Sequence, residues 1–295
     1  MTSAINALDY GSPSDANLAS ALAAAVSTNL PLFIPGTYPI TQPLVISSPC
    51  TIYGAGPKVT TIAPATAGQA AFQITSKLAV TIKELGIVSG AANQVGITTS
   101  PSGGNGTWNE FSIFRDLHIT GFQVGLQLSN SSDWIVDGCI IDGAGQQVGI
   151  QVDNSINVDA GDSCISNCTI SGLNTGNSVG ISQYSSGGLK ITNSKIIGYA
   201  YGYLMELSAG AQTSDLFISN CSFESQTQTC IGFTRQAGSG TFQTVCITGN
   251  ELQCASPVHN FDASSWLSGV GIVNNRLGGS ISMAGVADLL ASPNF

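Results

Sequence analysis

Short apolar runs alternate with polar, turn-forming positions along the chain, and one six-residue phrase recurs through it. The phrase reads apolar, any residue, then Asn, Asp or Gly, two further residues of any kind, and apolar. Copies begin at Phe114, Ile135, Ile165, Ile191, Ile218, Ile247 and Ile272, with weaker copies at Ile52 and Ile82. Ile52 to Ile272 spans 220 residues and eight intervals, a mean period of 27.5. Self-similarity at that period predicts a stacked array in which each repeat buries the face of the next.

A second phrase, apolar or aromatic, Gly, apolar, falls between copies of the first. It occurs at Val95-Gly96-Ile97, Val124-Gly125-Leu126, Val148-Gly149-Ile150, Val179-Gly180-Ile181 and Tyr201-Gly202-Tyr203, and Thr229-Cys230-Ile231 continues it. Each repeat therefore holds about three short runs of period two, separated by turn residues, which predicts three strands per coil. Asn, Asp and Gly enter the left-handed backbone region cheaply. Asp116, Asp137, Asn167, Asn193, Asn220, Gly249 and Asn274 are accordingly expected at sharp bends, with Asn167, Asn193 and Asn220 stacked as a buried ladder.

Before the repeats, Ser14 or Asp15 can cap a helix whose Leu18, Leu22 and Val26 recur at four-residue spacing. It is expected near Ala16–Val26 as a lid on the open end of the stack. Residues 31–62 supply the first strands, and Pro101–Gly106 reads as a loop. The division is one domain, with residues 1–45 as cap and first strands, 46–283 as coils and 284–295 as a C-terminal cap.

The coil pattern, with an Asn at a tight bend and the Gly-Ile strand after it, resembles the right-handed parallel β-helix of the pectate-lyase and polygalacturonase superfamily. The leader Leu8-Asp-Tyr-Gly11, with Pro31-Leu-Phe-Ile-Pro-Gly-Thr-Tyr38 and Leu44-Val-Ile46, is similar to that of phage tailspikes and bacterial pectate-lyase-like proteins. The resemblance implies an all-β fold: a single-stranded right-handed parallel β-helix of three-strand coils with a short N-terminal capping helix. It further implies a polysaccharide substrate, an extracellular or virion-associated place of action, and room for a homo-oligomer, a trimer if the chain assembles as tailspikes do. Polygalacturonase-type enzymes carry Asn-Thr-Asp, Asp-Asp and Gly-His-Gly along the groove strand. None of these occurs here, so the family's catalytic residues do not transfer.

Charge narrows the partners. The net charge is −9, and eight basic residues are scattered singly, which leaves no phosphate-binding stripe and disfavours nucleic acid. No apolar run is long enough to insert in a membrane, and Met1-Thr-Ser-Ala lacks the features of a signal peptide. The eight cysteines fall in columns. Cys168 and Cys221 lie two coils apart, and Cys164 and Cys246 three, beyond disulfide reach, so mostly free, packed thiols are expected. No Cys-x-x-Cys pair has metal-ligand spacing, Cys164 and Cys168 stand without His partners nearby, and no metal or cofactor is called for.

Strand alternation assigns faces in the Gly-Ile strands, where the residue after the Gly column points inward. One outward column then reads Thr98, Gln127, Gln151, Ser182, Leu204, Phe233, and the next Ser100, Ser129, Asp153, Tyr184, Glu206, Thr234. Asp153 and Glu206, two coils apart, have backbones about 9.6 Å from each other, near the acid–base separation of about 6.5–9.5 Å in inverting glycosidases. They are the candidate acid/base pair, with Tyr184 positioning a sugar between them. Gln127, Gln151, Arg235, Asp159 and Asp162 are candidate substrate contacts. Arg235 could hold Glu206, and Asp159 or Asp162 could supply the second carboxylate instead. Outward Trp134 and Phe217 on another face suit a sugar or a second subunit. His118 and His259 have no nucleophile or metal set around them in sequence. Three functions remain: a glycoside hydrolase, a lyase of pectate-lyase type, which needs cations to neutralise a uronate, and a non-catalytic glycan-binding adhesin or tail component.

Overall fold

A computed structural model describes residues 3–76, 78–99, 109–143, 147–153, 162–238 and 240–291. The chain winds through about nine turns of a solenoid whose walls are three parallel sheets. Among the described residues, sheet 1 has twelve strands, running from Ile5–Asn6 and Leu32–Ile34 to Leu267–Val273 and Ala287–Ala291. Sheet 2 has ten, from Thr37–Ile40 to Arg276–Leu277, and sheet 3 has nine, from Leu44–Ile46 to Val258–Asn260. Each strand of these sheets pairs in parallel with its counterpart one coil on, as a three-strand repeat requires, and Asn109–Glu110 pairs with Ser131–Ser132 as a further two-stranded sheet.

The repeated phrase forms the corner between sheets 1 and 2. Its first apolar position builds one inward column, Ile82, Phe114, Val136, Ile165, Ile191, Ile218, Ile247 and Ile272, in continuous register and fully buried. The bend two residues later is left-handed in the copies from Ile82 onward: Glu84, Asp116, Gly138, Asn167, Asn193, Asn220, Gly249 and Asn274 have φ between 49° and 67°. Each turn is tied to the next by the bend's backbone N–H, as in Asn167 to Thr192 O at 3.2 Å and Asn193 to Ser219 O at 3.2 Å.

Two expectations change here. Asp137 is not a bend residue; Gly138 is. Ile135–Ile140 and Val136–Ile141 both satisfy the phrase, and burial selects the second, since Val136 and Ile141 are fully buried while Ile135 and Ile140 are exposed. That one-residue shift also turns Trp134 inward, where it is fully buried, while Phe217 stays on the outer face of sheet 1. Nor are Asn167, Asn193 and Asn220 a buried ladder, for all three are exposed at their bends. The buried polar stack lies one residue later, through Cys139, Cys168, Ser194, Cys221, Asn250 and Asn275. In it Asn250 Nδ2 donates to Asn275 Oδ1 at 2.9 Å, and Asn250 Oδ1 accepts from Cys221 N at 2.9 Å. The αL bend points its own side chain at solvent and turns the following one into the core.

The same shift brings Cys139 beside Cys168; their hydrogen bond, with burial, raises the Cys139 thiol well above its usual value. Cys230 and Cys254 are disulfide-bonded, a pairing the column argument missed, and the other six cysteines are free.

Helix α1 (Asp15–Thr28) caps the stack. Ser14 Oγ accepts from Asn17 N at 3.3 Å, and Asp15 Oδ2 accepts from Thr41 N at 3.0 Å, pinning the helix to the first coil. Leu18, Ala21, Leu22 and Ala25 are buried beneath it. An apolar cavity of about 750 Å³ lies between α1 and Leu44–Ile46, the first strand of sheet 3. At the other end, Ala287–Ala291 joins sheet 1 as its last strand. Among the described residues no helix is long and apolar enough to cross a membrane. The Pro101–Gly106 loop lies outside the described residues.

Candidate functional site

Glycine sets the phase of sheet 3. A Cβ on Gly149 would stand 2.5 Å from Gly180 O, and one on Gly180 2.6 Å from Gly202 O, so the coils stack closely only because this column lacks side chains. With the phase fixed, alternation follows. Leu126, Ile150, Ile181, Tyr203 and Ile231 point inward and are fully buried. Gln127, Gln151, Ser182 and Leu204 form one outward column. Ser129, Asp153, Tyr184, Glu206 and Thr234 form the next. Asp153, Tyr184 and Glu206 are thus consecutive cross-strand neighbours. In the first column Gly232, not Phe233, follows Leu204, and Phe233 is fully buried.

The two carboxylates sit differently. Asp153 is half-buried, its Oδ1 is shielded from solvent without a hydrogen-bond partner, and burial raises its carboxyl above the usual range. Asn130 Oδ1 is a second buried acceptor without a partner, and Asn130 N donates to Asp153 O at 3.1 Å, so both sit at one corner of the coil. Glu206 is tied to its neighbours instead. Gln236 Nε2 donates to Glu206 Oε1 and to Tyr184 Oη, each at 3.2 Å. Since the Tyr184 oxygen accepts, its own proton is left to give.

Arg235 does not hold Glu206. It pairs with Leu207 in register, Nε reaches Asp262 Oδ2 at 2.7 Å, and Nη1 donates to Gly240 O at 3.2 Å. The Ser264 hydroxyl and backbone N–H, together with Arg235, pull Asp262 down to about 2. Asp162 is also engaged elsewhere, with Lys190 Nζ at 3.0 Å from its Oδ1 beside sheet 1. Asp159 lies outside the described residues. Gln127 and Gln151 are paired in register, and Gln127 Oε1 accepts from Thr98 Oγ1 at 3.3 Å. Among the described residues, no group of three or more His, Cys, Asp or Glu side chains is placed to hold a metal ion.

Sequence reasoning missed Gln236, which belongs to no repeat column, and the surroundings of His259. That imidazole stacks on Phe261 at 4.1 Å between ring centroids and 11° between planes. Phe261 meets Tyr201 edge to face at 6.0 Å. The exposed Phe261 among turn residues was the available signal.

The sequence profile of the right-handed β-helix region matches residues 103–277. The chain belongs to that family. No curated protein matches it in sequence, and its solved relatives are similar in fold alone. An alginate lyase from Paenibacillus sp. str. FPU-7 superposes with a TM-score of 0.67 at 17% identity, covering 96% of this β-helix and 99% of the lyase. The A-module of mannuronan C-5 epimerase AlgE4 from Azotobacter vinelandii gives 0.62 at 12% identity, covering 98% and 97%. The enzymatically active domain of tailspike protein 2 from bacteriophage CBA120 gives 0.59 at 13%, covering 97% of this chain and 52% of the tailspike chain.

Proposed function

We propose that this β-helix protein is a glycoside hydrolase cleaving a neutral or weakly charged polysaccharide along the outer face of sheet 3. The observation that carries the reading is the register placing Asp153, Tyr184 and Glu206 in one outward column. Two strand spacings put the outer pair at about 9.6 Å between backbones, close to the separation that admits a water in inverting enzymes. Asp153, held above its usual range by burial, is the acid. It gives its proton to the glycosidic oxygen as the bond from that oxygen to the anomeric carbon breaks. Glu206 takes a proton from the water that forms the new bond to the same carbon from the opposite face. Exchange with solvent then resets both groups. Tyr184 donates to a sugar hydroxyl, and Gln151 on the Asp153 strand and Gln127 one coil farther along the solenoid axis offer amides.

Elimination is the second reading, and the alginate-lyase relative favours it. A uronate would need its charge offset. Among the described residues, the Lys or Arg side chain on the strands of sheet 3 is Arg235, already committed to Asp262. That pairing supports hydrolysis. The reading places the protein outside the cell or on a virion, with polysaccharide as its partner and a homo-oligomer as an assembly to be tested by sedimentation. A panel of bacterial-surface and plant glycans, followed for new reducing ends and for the absorbance of an unsaturated uronate, separates the alternatives. Reducing ends without absorbance are expected. Absorbance would establish the lyase instead, and binding without either signal the adhesin.

A further inference from the structure

Beyond Glu206 along the solenoid axis, the outer face of sheet 3 changes character. The column that carries Gln127, Gln151 and Ser182 continues as Leu204, Gly232 and His259. Gly232 is the one position of that series without a side chain, and a ring fills the space above it. A Cβ there would come within 3.0 Å of Phe261 Cε2 and of Leu204 Cδ1. Phe261 follows the strand Val258–Asn260 and is held by its N–H, which donates to Phe233 O at 2.9 Å. One neighbour stacks on it, His259, and another meets it edge to face, Tyr201. His259 is fixed in turn by a 3.2 Å contact between Nδ1 and Ser256 Oγ, and the Tyr201 hydroxyl bonds Gln228. Despite these contacts Phe261 remains 45% exposed. With His259 stacked on it and Tyr201 against its edge, Phe261 belongs to a contiguous aromatic patch and is not a single scattered apolar side chain.

We propose that Tyr201, His259 and Phe261 form a stacking subsite for a hexopyranose ring of a neutral glycan, reaching from the strand of Glu206 to two coils beyond it. Tyr201 shares its strand with Glu206, Gly232 lies on the next, and His259 on the one after. At about 4.8 Å per coil the platform is therefore within a sugar or two of the carboxylate. The chemistry of the face selects the occupant. Aromatic rings offer an apolar surface to the C–H side of a pyranose, and a few convergent polar groups orient its hydroxyls. Those polar groups are the side chains of Gln236, Glu206 and Thr234, which can bond hydroxyls. Arg235, the nearby guanidinium, is taken by Asp262, so no Lys or Arg side chain on these strands is left to offset an anionic sugar beside Glu206.

This subsite rests on the reading of the sheet 3 face as a glycan groove, and the experiment separates the two. Calorimetric titrations use neutral hexasaccharides of gluco-, manno- and galacto-configuration and a polyuronate hexasaccharide. They are run against the wild-type chain, Phe261→Ala, His259→Ala, Phe261→Trp and Glu206→Gln, with thermal melts to verify folding. At least one neutral hexasaccharide is expected to bind the wild-type chain, and more tightly than the polyuronate. Phe261→Ala should weaken it about five- to tenfold, the scale of one aromatic contact, while Phe261→Trp retains it. Phe261→Ala binding like the wild type, preference for the polyuronate, or no neutral hexasaccharide bound would each overturn the subsite. Glu206→Gln should bind the sugar and fail to cleave it. If the sugar binds through Phe261 and the wild-type chain does not cleave it, the hydrolase reading falls and the subsite stands.

Discussion

On the strands of sheet 2, Asp142, Glu224 and Glu251 each meet a basic side chain, whereas on those of sheet 3 Asp153 and Glu206 meet none. His118 Nε2 lies 3.2 Å from Asp142 Oδ2, Lys195 Nζ 3.0 Å from Glu224 Oε1, and Arg276 Nη1 2.6 Å from Glu251 Oε1. Both faces belong to one solenoid with the same strand spacing, and both alternate inward and outward residues. The difference is therefore one of side-chain choice at equivalent positions. Sheet 2 uses carboxylates as cross-strand partners, a modest local stabilisation. Sheet 3 keeps one carboxylate half-buried and unpaired and the other bonded to the neutral Gln236 amide, an arrangement that gives little stability and commits neither to a cation.

The largest expected effect breaks the comparison outright. Asp153→Asn and Glu206→Gln should each slow glycan cleavage by about 10²-fold or more, the usual contribution of general acid–base catalysis, while Glu224→Gln stays within about twofold. Initial rates of reducing-end release measure this, and equal effects on the two sheets would erase the distinction. Importing sheet 2 logic into sheet 3 comes next. Gln151→Lys places a cation two residues before Asp153 on the same face, which should lower the Asp153 carboxyl. The basic limb of the pH–rate profile should then move to lower pH, and Asp153→Asn should abolish that limb.

Stability effects are smaller and opposite in sign on the two sheets. Because the folded Asp153 carboxyl lies above its unfolded value, the folded chain binds the proton more tightly, so stability falls as pH rises through that interval. Asp153→Asn should therefore raise the melting temperature at neutral pH, with the gain vanishing as pH drops to about 4, near the ordinary aspartate value. Glu224→Gln should cost about 0.2–1 kcal/mol at neutral pH, less in high salt, as read by urea unfolding. Its carboxyl lies below the usual range because Lys195 and then Ser222 hydrogen-bond it, so that contribution disappears as pH falls through the lowered value.

How far this comparison could be read in advance depended on what set the phase of each strand. In sheet 3 the glycines Gly96, Gly149, Gly180 and Gly202 mark one column unambiguously, because a Cβ there meets the next coil. The carboxylate column followed from them by counting. Where the marker was absent, at Cys230, the count slipped and put Phe233 outside in place of Gly232. At Asp137 two phases fitted the apolar pattern equally, and only burial of Val136 and Ile141 chooses between them. Trp134 and the adjacency of Cys139 to Cys168 were lost with that choice. The pairing of Arg235 with Asp262, like the positions of Gln236 and Phe261, depends on corner residues that no periodicity describes.

Whether Asp153 keeps its proton where Glu224 gives one up can be measured without any substrate. Carbon-13 NMR titration of the side-chain carboxyls resolves both groups in the folded chain. The comparison of the two sheets predicts that Asp153 titrates above the ordinary aspartate value of about 3.9 and Glu224 below the ordinary glutamate value of about 4.3. Asp153 titrating at or below its ordinary value would contradict it, and would remove the acid from the proposed reaction.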